Sequence, residues 1–247
     1  MRIDDIDAVE PVEPTAAGTD RHERPVLVRR AGTSADERVT AQLHVDALEG
    51  MFVRFGVGFV RSYHASFRRS PHAVSYAVEG PDGIVGFLVG TIDNEAHYRW
   101  LARRASPTLV PRAVLALLRR PRVALDAIRT RRRRYLRALL RRLRPRRRPA
   151  DGPSVAAADH PTTEPGPPRV GVLTHVAVGA SARGTGAGRQ LVEADEGTLR
   201  TAGVTEARLI TAPGGGAPAF YRRLGWVGAG VRTGADGTEV EEFIRTW

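Results

Sequence analysis

The sequence contains no cysteine, no lysine and no long apolar run, and each absence excludes a class of site or protein. Without cysteine, the chain can form no disulfide, no thiolate metal site and no cysteine nucleophile. It has no uninterrupted apolar stretch of the roughly eighteen residues that a membrane-spanning helix needs. Residues 1–5 are acidic rather than apolar, which is unlike a signal peptide. We therefore expect a cytoplasmic protein.

All the basic residues are arginines, and their distribution along the chain is uneven. Residues 129–148 contain twelve arginines and no acid, so without this segment the net charge of the chain falls from +11 to −1. Four leucines in the segment follow the i, i+3, i+4, i+7 spacing of one helix face. The segment therefore predicts a basic amphipathic helix. The leucines are Leu136, Leu139, Leu140 and Leu143.

Three interpretations of this basic helix are open. It could lie on an anionic membrane surface, which would make the protein peripheral at the membrane. It could bind nucleic acid phosphates, although Tyr135 is the only aromatic residue available there for base stacking. It could also be a solvated helix whose leucines pack on the domain. Nucleic acid binding is the least favoured of the three interpretations.

The composition divides the chain into a tail, one domain and an insertion. Residues 1–24 carry seven acids and two prolines and predict a disordered acidic tail. Residues 25–247 predict a single domain, interrupted by an insertion over about 100–168. The insertion consists of a helical basic segment, 105–148, and a proline-rich linker, 149–168.

The first part of the domain contains the patterns of one strand and two helices. An apolar run over 26–30 predicts a strand, and Ser34 and Glu37 have the spacing of a capping box that begins a helix ending at about Leu48. Aromatic residues then recur every three or four positions and predict a second amphipathic helix. Its stripe packs in the core or lines a pocket, and consists of Phe52, Phe55, Phe59, Tyr63 and Phe67.

Two further strands are predicted over 73–78 and 84–91. The turn Pro81-Asp82-Gly83 between them has the composition of a hairpin. With the strand at 26–30, they place three strands in the first half of a domain of the α+β class.

A strand, a glycine-rich turn and a helix follow one another near the C-terminus. Alternation over 173–178 predicts a strand with Thr174, Val176 and Val178 on one face and Leu173, His175 and Ala177 on the other. Arg183 to Gly188 form the turn, and 189–201 has helical spacing. The backbone N–H groups of such a turn and of the first helical turn favour an anion, and glycine lets the main chain approach a phosphate.

A second motif follows at the expected distance. A strand over 207–211 precedes the segment Ala217 to Trp226, which includes Phe220, Tyr221, Leu224 and Gly225. The chain here resembles the GNAT acetyltransferases, which use acetyl-CoA. Their pyrophosphate loop, Arg/Gln-x-x-Gly-x-Gly/Ala, is matched by Arg183, Gly186 and Gly188, and their Ala-x-x-Phe-Tyr-x-x-Leu-Gly-Phe/Trp segment by residues 217–226. The resemblance implies a GNAT acyl-CoA N-acyltransferase fold, with a mixed sheet whose first half is antiparallel, and a helical, arginine-rich insertion.

The resemblance also implies roles for individual residues. The cofactor strand would bind the pantetheine arm through backbone groups of Val176, Ala177 and Val178. Tyr221 corresponds to the family tyrosine that protonates the leaving thiolate, and His175 is a candidate base because an imidazole has a suitable pKa. Glu79 and Asp93 are weaker candidates for the base, and water could replace any of them. The pyrophosphate would bind Arg183, Gly184, Thr185, Gly186, Ala187, Gly188 and Arg189.

The expected activity is therefore direct transfer of an acetyl group from acetyl-CoA to an amine. Such an enzyme is an acyltransferase of groups other than aminoacyl groups, and it needs no metal. The acceptor, a small molecule or a peptide, is not readable from the sequence, and a homodimer is left open. Gly214 stands where many GNAT members carry asparagine, which puts efficient catalysis in doubt. The alternative is a non-catalytic CoA-binding module that the basic helix tethers to a membrane or nucleic acid.

Overall fold

A mixed sheet of seven strands organises the chain in the computed structural model, which describes residues 26–105, 109, 111–113, 115, 169–233 and 237–247. The strand order is β1-β2-β3-β4-β5-β7-β6, and β4 and β5 are parallel while all other neighbours are antiparallel. The strands are β1 Leu27–Arg30, β2 Ala73–Gly80, β3 Gly83–Thr91, β4 Val170–Val178, β5 Glu206–Thr211, β6 Val227–Thr233 and β7 Glu239–Thr246.

Helices cover both faces of this sheet. The front face packs against α5 (Ala187–Thr201) and α6 (Gly216–Arg223), and the back face against α1 (Ser34–Ala47), α2 (Met51–Arg54), α3 (Val57–Arg69) and α4 (Asn94–Trp100). A π-helical turn, Leu101–Ala105, extends α4. Leu88, Leu173 and Leu209 of the sheet meet Leu191, Val192 and Leu199 of α5 in the front core. The back core joins Phe87, Val89 and Ala177 to Phe59, Tyr63 and Phe67 of α3.

The N-cap of helix α1 lies one residue earlier than the sequence predicts. Thr33, not Ser34, is the N-cap: its hydroxyl accepts from the N–H of Asp36 at 3.1 Å, and Asp36 accepts from the N–H of Thr33 at 2.9 Å. Arg29 selects this register because its guanidinium donates to both oxygens of Asp36, at 3.1 and 2.8 Å. These contacts hold the pKa of Asp36 well below its usual range. The prediction that Ser34 and Glu37 form the capping box is wrong.

The aromatic stripe lies on two helices rather than on one. α2 ends at Arg54 and α3 starts at Val57, with Gly56 between them at φ +86, a backbone conformation that only glycine adopts readily. The break turns the stripe without dispersing it: the ring centroids of Phe52 and Tyr63 are 4.6 Å apart and those of Phe55 and Phe59 4.8 Å. The stripe therefore packs in and around the back core.

One extra residue in β4 interrupts its alternation. Val89 pairs with His175 but its neighbour Gly90 pairs with Leu173, so Thr174 forms a β-bulge. Leu173 consequently packs in the front core with Val176, while His175 faces the aromatic rings of the back face. The prediction that Leu173 shares a face with His175 and Ala177 is wrong, because a period of two holds only on each side of the bulge.

Much of the predicted insertion lies outside the described residues. The acidic tail, the arginine-rich segment 129–148 and the linker 149–168 also lie outside the described residues. These three segments and the domain boundaries therefore remain predictions. Within the insertion the structure describes a few helical residues, of which Leu109 packs in the back core. Among the helices in the described ranges, none has the length and apolar composition to cross a membrane.

Candidate active site

Strands β4 and β5 pair for only three residues and then separate. Their register runs from Val170 with Glu206 to Val172 with Arg208, whereas β5 continues to Thr211 in its pairing with β7. Beyond Val172, no strand of the described chain pairs with β4 on the β5 side. The bulge at Thr174 lies just after the last pair. A slot therefore opens in the middle of the sheet, along the second half of β4.

The register with β3 shows which backbone groups face this slot. The N–H of Gly179 donates to the carbonyl oxygen of Val85 at 2.7 Å, which fixes the hydrogen-bonded pairs of the β3–β4 ladder. Hydrogen-bonding groups of successive strand residues point to opposite sides, so Ala177 faces β3. Val176 and Val178 therefore turn their N–H and C=O groups toward the slot. Their side chains pack in or against the front core, so only these main-chain groups are available.

The glycine-rich turn lies between β4 and α5, where the sequence predicts it. Gly184 and Gly186 have φ values of +77 and +84, so this path of the chain requires glycine at both positions. Helix α5 starts at Ala187 without a side-chain cap, and the N–H of Gln190 donates to the carbonyl oxygen of Gly186 at 3.0 Å. The N–H groups before Gln190 lack intrahelical partners, as at any helix start, and favour an anion.

The other predicted residues of the turn differ in what they can contribute. Arg183 is half-buried beside the helix start, where a guanidinium suits phosphate. Arg189 is exposed and pairs with Glu193 one turn along α5, at 2.7 Å. Thr185 donates its hydroxyl to the carbonyl oxygen of Ala182 at 2.7 Å and so fixes the turn. A Cβ on Gly188 would lie 3.5 Å from the ring of Phe220, so α6 packs closely against the same helix start.

Tyr221 lies on the front face in the core beneath α5 and α6. Its side chain is 1% exposed, and its hydroxyl has no hydrogen-bond partner within the described ranges. Burial raises the pKa of Tyr221 above its usual value, and the charge of Asp195 raises it further. The hydroxyl is therefore protonated at neutral pH. A buried donor without an acceptor is in a suitable state to donate a proton to a group that binds beside it.

Two buried acids of α5, Asp195 and Glu196, are not predicted from the sequence. Asp195 is fully buried, neither of its oxygens has a partner in the described chain, and a Cβ on Gly90 would lie 3.1 Å from it. Burial raises the pKa of Asp195 to about 8, and the charge of Glu196 adds to the shift. The sequence does indicate that Asp195 is buried, because it falls on the same helix face as Leu191 and Leu199.

Glu196 fixes the end of α6 to α5. Its Oε1 accepts from the indole N–H of Trp226 at 2.9 Å, and its Oε2 accepts from Arg200 at 2.7 Å. Trp226 is 2% exposed and its ring centroid lies 6.0 Å from that of Tyr221. The hydrogen bond between Glu196 and Trp226 therefore fixes the position of α6, which carries Tyr221.

Replacing Trp226 with phenylalanine should lower the free energy of unfolding by about 1–3 kcal/mol, because a buried carboxylate loses a donor. Urea denaturation measures the change. Trp247→Phe is the matched control, since Trp247 is 36% exposed and should shift stability by less than about 0.5 kcal/mol. Equal effects of the two changes would contradict the role given to the Glu196 contact.

His175 lies on the back face, opposite Tyr221. It is 1% exposed, and neither ring nitrogen has a partner among the described residues. Its ring centroid is 4.7 Å from that of His44, and 5.8 Å from those of Phe52 and Tyr63. Burial holds the pKa of His175 well below its usual range, and the charges of His44 and His64 act in the same direction. The imidazole is therefore neutral at pH 7 and has a free lone pair.

The other positions singled out in the sequence have structural roles. Glu79 pairs with Arg29 at 2.7 Å, and Asp93 caps α4 by accepting from the N–H of Ala96 at 2.9 Å. Gly214 has φ +86, is exposed, and a Cβ there would meet no atom within 4 Å. No group of three or more metal-binding side chains occurs in the residues that the structure describes.

Comparisons with known proteins agree with this geometry. The sequence profile of the Acetyltransferase (GNAT) family matches residues 154–226, which include β4, the glycine-rich turn, α5 and α6. No curated protein matches the sequence.

Solved structures extend the likeness to the fold. The crystal structure of a putative GNAT acetyltransferase from Desulfovibrio desulfuricans has a TM-score of 0.51 and 12% identity, and the match covers 90% of this chain and 99% of that one. The crystal structure of a protein named SsHAT has a TM-score of 0.53 and 16% identity, and covers 90% and 98%. The mixed sheet with its helices is therefore the GNAT acyltransferase fold, and the predicted resemblance to the GNAT family is confirmed.

Proposed function

We propose that the protein is an N-acetyltransferase that moves an acetyl group from acetyl-CoA directly to an amine. The observation that carries the proposal is the slot between β4 and β5, which opens next to the uncapped start of α5. The slot offers main-chain donors and acceptors for an amide-bearing arm, and the helix start offers N–H groups for a pyrophosphate. The two sites have the order along one strand–turn–helix unit that acetyl-CoA requires.

The residues present fit the donor substrate on chemical grounds. The N–H and C=O groups of Val176 and Val178 would bind the pantetheine arm, and Arg183 with the N–H groups at 184–189 would bind the pyrophosphate. Acetyl-CoA supplies an acetyl group activated as a thioester. Transfer of this acetyl group to an amine leaves the CoA thiolate and releases a proton from the amine. The protein must therefore donate one proton and accept another.

The donation and the acceptance of a proton are assigned to opposite faces of the sheet. Tyr221, on the front face with α5 and α6, would protonate the thiolate, because its neutral hydroxyl is unpartnered in the described chain. His175, on the back face, would accept the proton from the amine, because its imidazole is neutral. In this proposal acetyl-CoA occupies the front side of the slot and the acceptor amine the back side. No step passes through an acetylated enzyme.

The acceptor would meet an apolar surface near His175. The rings of Phe52 and Tyr63 each lie 5.8 Å from the ring of His175, measured between centroids. We therefore place an uncharged, hydrophobic portion of the acceptor next to its amine.

Titration with acetyl-CoA in a calorimeter tests the donor site. The unmodified protein should bind with micromolar affinity, and the double variant Arg183→Ala, Gly186→Glu should bind at least about tenfold more weakly, because a phosphate partner is lost and a negative charge faces the site. Arg38→Ala, at an exposed position on α1, is the control and should bind as the unmodified protein does. Absence of binding by the unmodified protein would contradict the proposed function.

A further inference from the structure

The proposed base is covered in this structure. His175 is 1% exposed, and three aromatic rings pack around it. Their centroids lie 4.7 Å from that of His175 for His44, and 5.8 Å for Phe52 and for Tyr63. An imidazole this deeply buried can contact an amine only after a neighbouring group has moved. The proposed reaction therefore needs a part of the back face that opens.

Two of these three rings are fixed by long helices. Nδ1 of His44 on α1 lies 3.0 Å from Nε2 of His64 on α3, and Nδ1 of His64 lies 2.9 Å from the hydroxyl of Thr40. Tyr63 is 3% exposed in the middle of α3, where its ring packs against that of Phe67 with centroids 4.9 Å apart. Moving either ring would separate α1 from α3 or displace a core helix.

The third ring, that of Phe52, belongs to a single helical turn. α2 has four residues, and Phe52 is half-buried. Its ring contacts Phe59 and Tyr63 of α3, with centroids 5.7 and 4.6 Å apart, and the ring of Phe55 contacts Phe59 at 4.8 Å. A helix of one turn is not stable by itself in water, so this packing on α3 contributes much of what holds α2 in place. Phe52 is therefore the ring that can leave His175 with the least disruption of the fold.

A glycine in an unusual backbone conformation lies at each end of this turn. Gly50 has φ +119 and ψ −174, and Gly56 has φ +86 and ψ +164. This region of φ and ψ is almost exclusive to glycine. Hinges of moving segments are a few residues that absorb large changes in φ and ψ, and glycine absorbs them at the lowest steric cost. The two glycines therefore have the properties of hinges.

We propose that residues 50–56 form a lid, which turns about Gly50 and Gly56 and carries Phe52 away from His175 to admit the acceptor. The inference rests on the proposed function, because it assumes that an amine must reach His175. α1 and α3 form the frame on which the lid closes. On closing over a bound acceptor, the ring of Phe52 packs on its hydrophobic portion and excludes water from the transfer.

The absence of cysteine from the chain allows lid opening to be measured without any substrate. The variant His175→Cys carries the only thiol, and the rate of its reaction with N-ethylmaleimide reports how often the lid is open. We expect this rate to be nearly independent of urea below the unfolding transition, because a lid exposes little surface when it opens. Val192→Cys is the control: Val192 is 0% exposed in the front core, so labelling of this variant should accelerate with urea. Equal urea dependence of the two variants would overturn the lid.

Gly56→Ala tests the hinge in the His175→Cys background. A Cβ on Gly56 would meet no atom within 4 Å, so alanine acts through the backbone conformation alone. Its strain at positive φ disfavours the closed lid, and labelling should become about tenfold faster while staying independent of urea. If the rate does not rise, the reagent reaches the thiol by another route and the inference is overturned.

Gly58→Ala is the matched control for the hinge. A Cβ on Gly58 would also meet no atom within 4 Å, but this glycine lies within α3, where alanine is favourable. The change should therefore leave the labelling rate of the His175→Cys variant as it is. An acceleration equal to that of Gly56→Ala would contradict the assignment of Gly56 as a hinge.

A kinetic measurement that keeps His175 tests whether the lid admits the acceptor. The probe is phenylethylamine, a primary amine next to a hydrophobic ring. Gly56→Ala raises the fraction of molecules with an open lid, so KM for phenylethylamine should fall by up to about tenfold while KM for acetyl-CoA stays the same. An unchanged KM for the amine, together with faster labelling, would overturn the role of the lid in acceptor binding. Failure of the unmodified protein to acetylate the amine, with the labelling as expected, would instead contradict the proposed function.

Discussion

Tyr221→Phe is expected to lower kcat by about 10²–10³-fold, which lies within the range for loss of a general acid. The same change should leave acetyl-CoA affinity unaltered, because Tyr221 packs in the front core rather than at the glycine-rich turn. It should also leave stability unchanged or slightly higher, since the hydroxyl that it removes is buried and has no partner in the described chain. Steady-state kinetics, calorimetry and urea denaturation measure the three quantities.

The combination of outcomes separates catalysis from packing. A tyrosine that only packs α6 on the sheet would tolerate phenylalanine without loss of turnover. Tyr76→Phe is the matched control, because its hydroxyl on β2 contacts that of Thr198 on α5. That variant should lose a little stability and keep its turnover. A fall in turnover of equal size in both variants would contradict the role proposed for Tyr221.

Asp195→Asn is expected to raise the free energy of unfolding by about 2–4 kcal/mol at pH 7. The folded protein keeps Asp195 protonated up to pH about 8, because the side chain is buried. The unfolded chain releases this proton above about pH 3.9, so the folded state binds more protons between these values. Stability therefore falls as pH rises from about 4 to about 8 and levels off above. Asparagine removes this contribution, since it carries no titrating proton.

The test compares urea denaturation of both proteins over pH 4–8. The stabilising effect of Asp195→Asn should be small near pH 4 and grow with pH. Asp46→Asn, at an exposed position on α1 where Asp46 contacts Gln42, should change stability little at any pH. Parallel curves for the unmodified protein and Asp195→Asn would show that Asp195 is not held in its protonated form.

Local sequence patterns predict the elements that surround the glycine-rich turn. The glycine-rich turn lies between a strand and a helix as expected, because such turns are specified by residues adjacent in the chain, although α5 begins at Ala187, two residues before the predicted helix. The β2–β3 hairpin is correct for the same reason. β6 and β7 escaped prediction, since glycines at 228 and 230 weaken the alternation of β6, whose residues are mostly exposed.

The features that were missed depend on contacts between different elements. The cap of α1 is shifted because Arg29, on the preceding strand β1, pairs with Asp36. A hydrogen bond between α1 and α3 joins His44 and His64, twenty positions apart, and neither histidine is unusual within its own helix. His175 alone gave a visible signal, and its environment comes from α1, α2 and α3. Sequence patterns therefore locate the turn, and tertiary packing determines the environment of His175.

Strand β4 contains one residue, Thr174, more than regular pairing with β3 requires. A strand without it would alternate regularly and would still place Leu173 and Val176 on the front and His175 on the back. Pairing with β5 could then continue past Val172, and the sheet would close. The extra residue thus leaves the face of every side chain unchanged and alters only whether the sheet is continuous. The insertion of one residue is thus enough to separate a continuous, more fully hydrogen-bonded sheet from one with an opening beside β4.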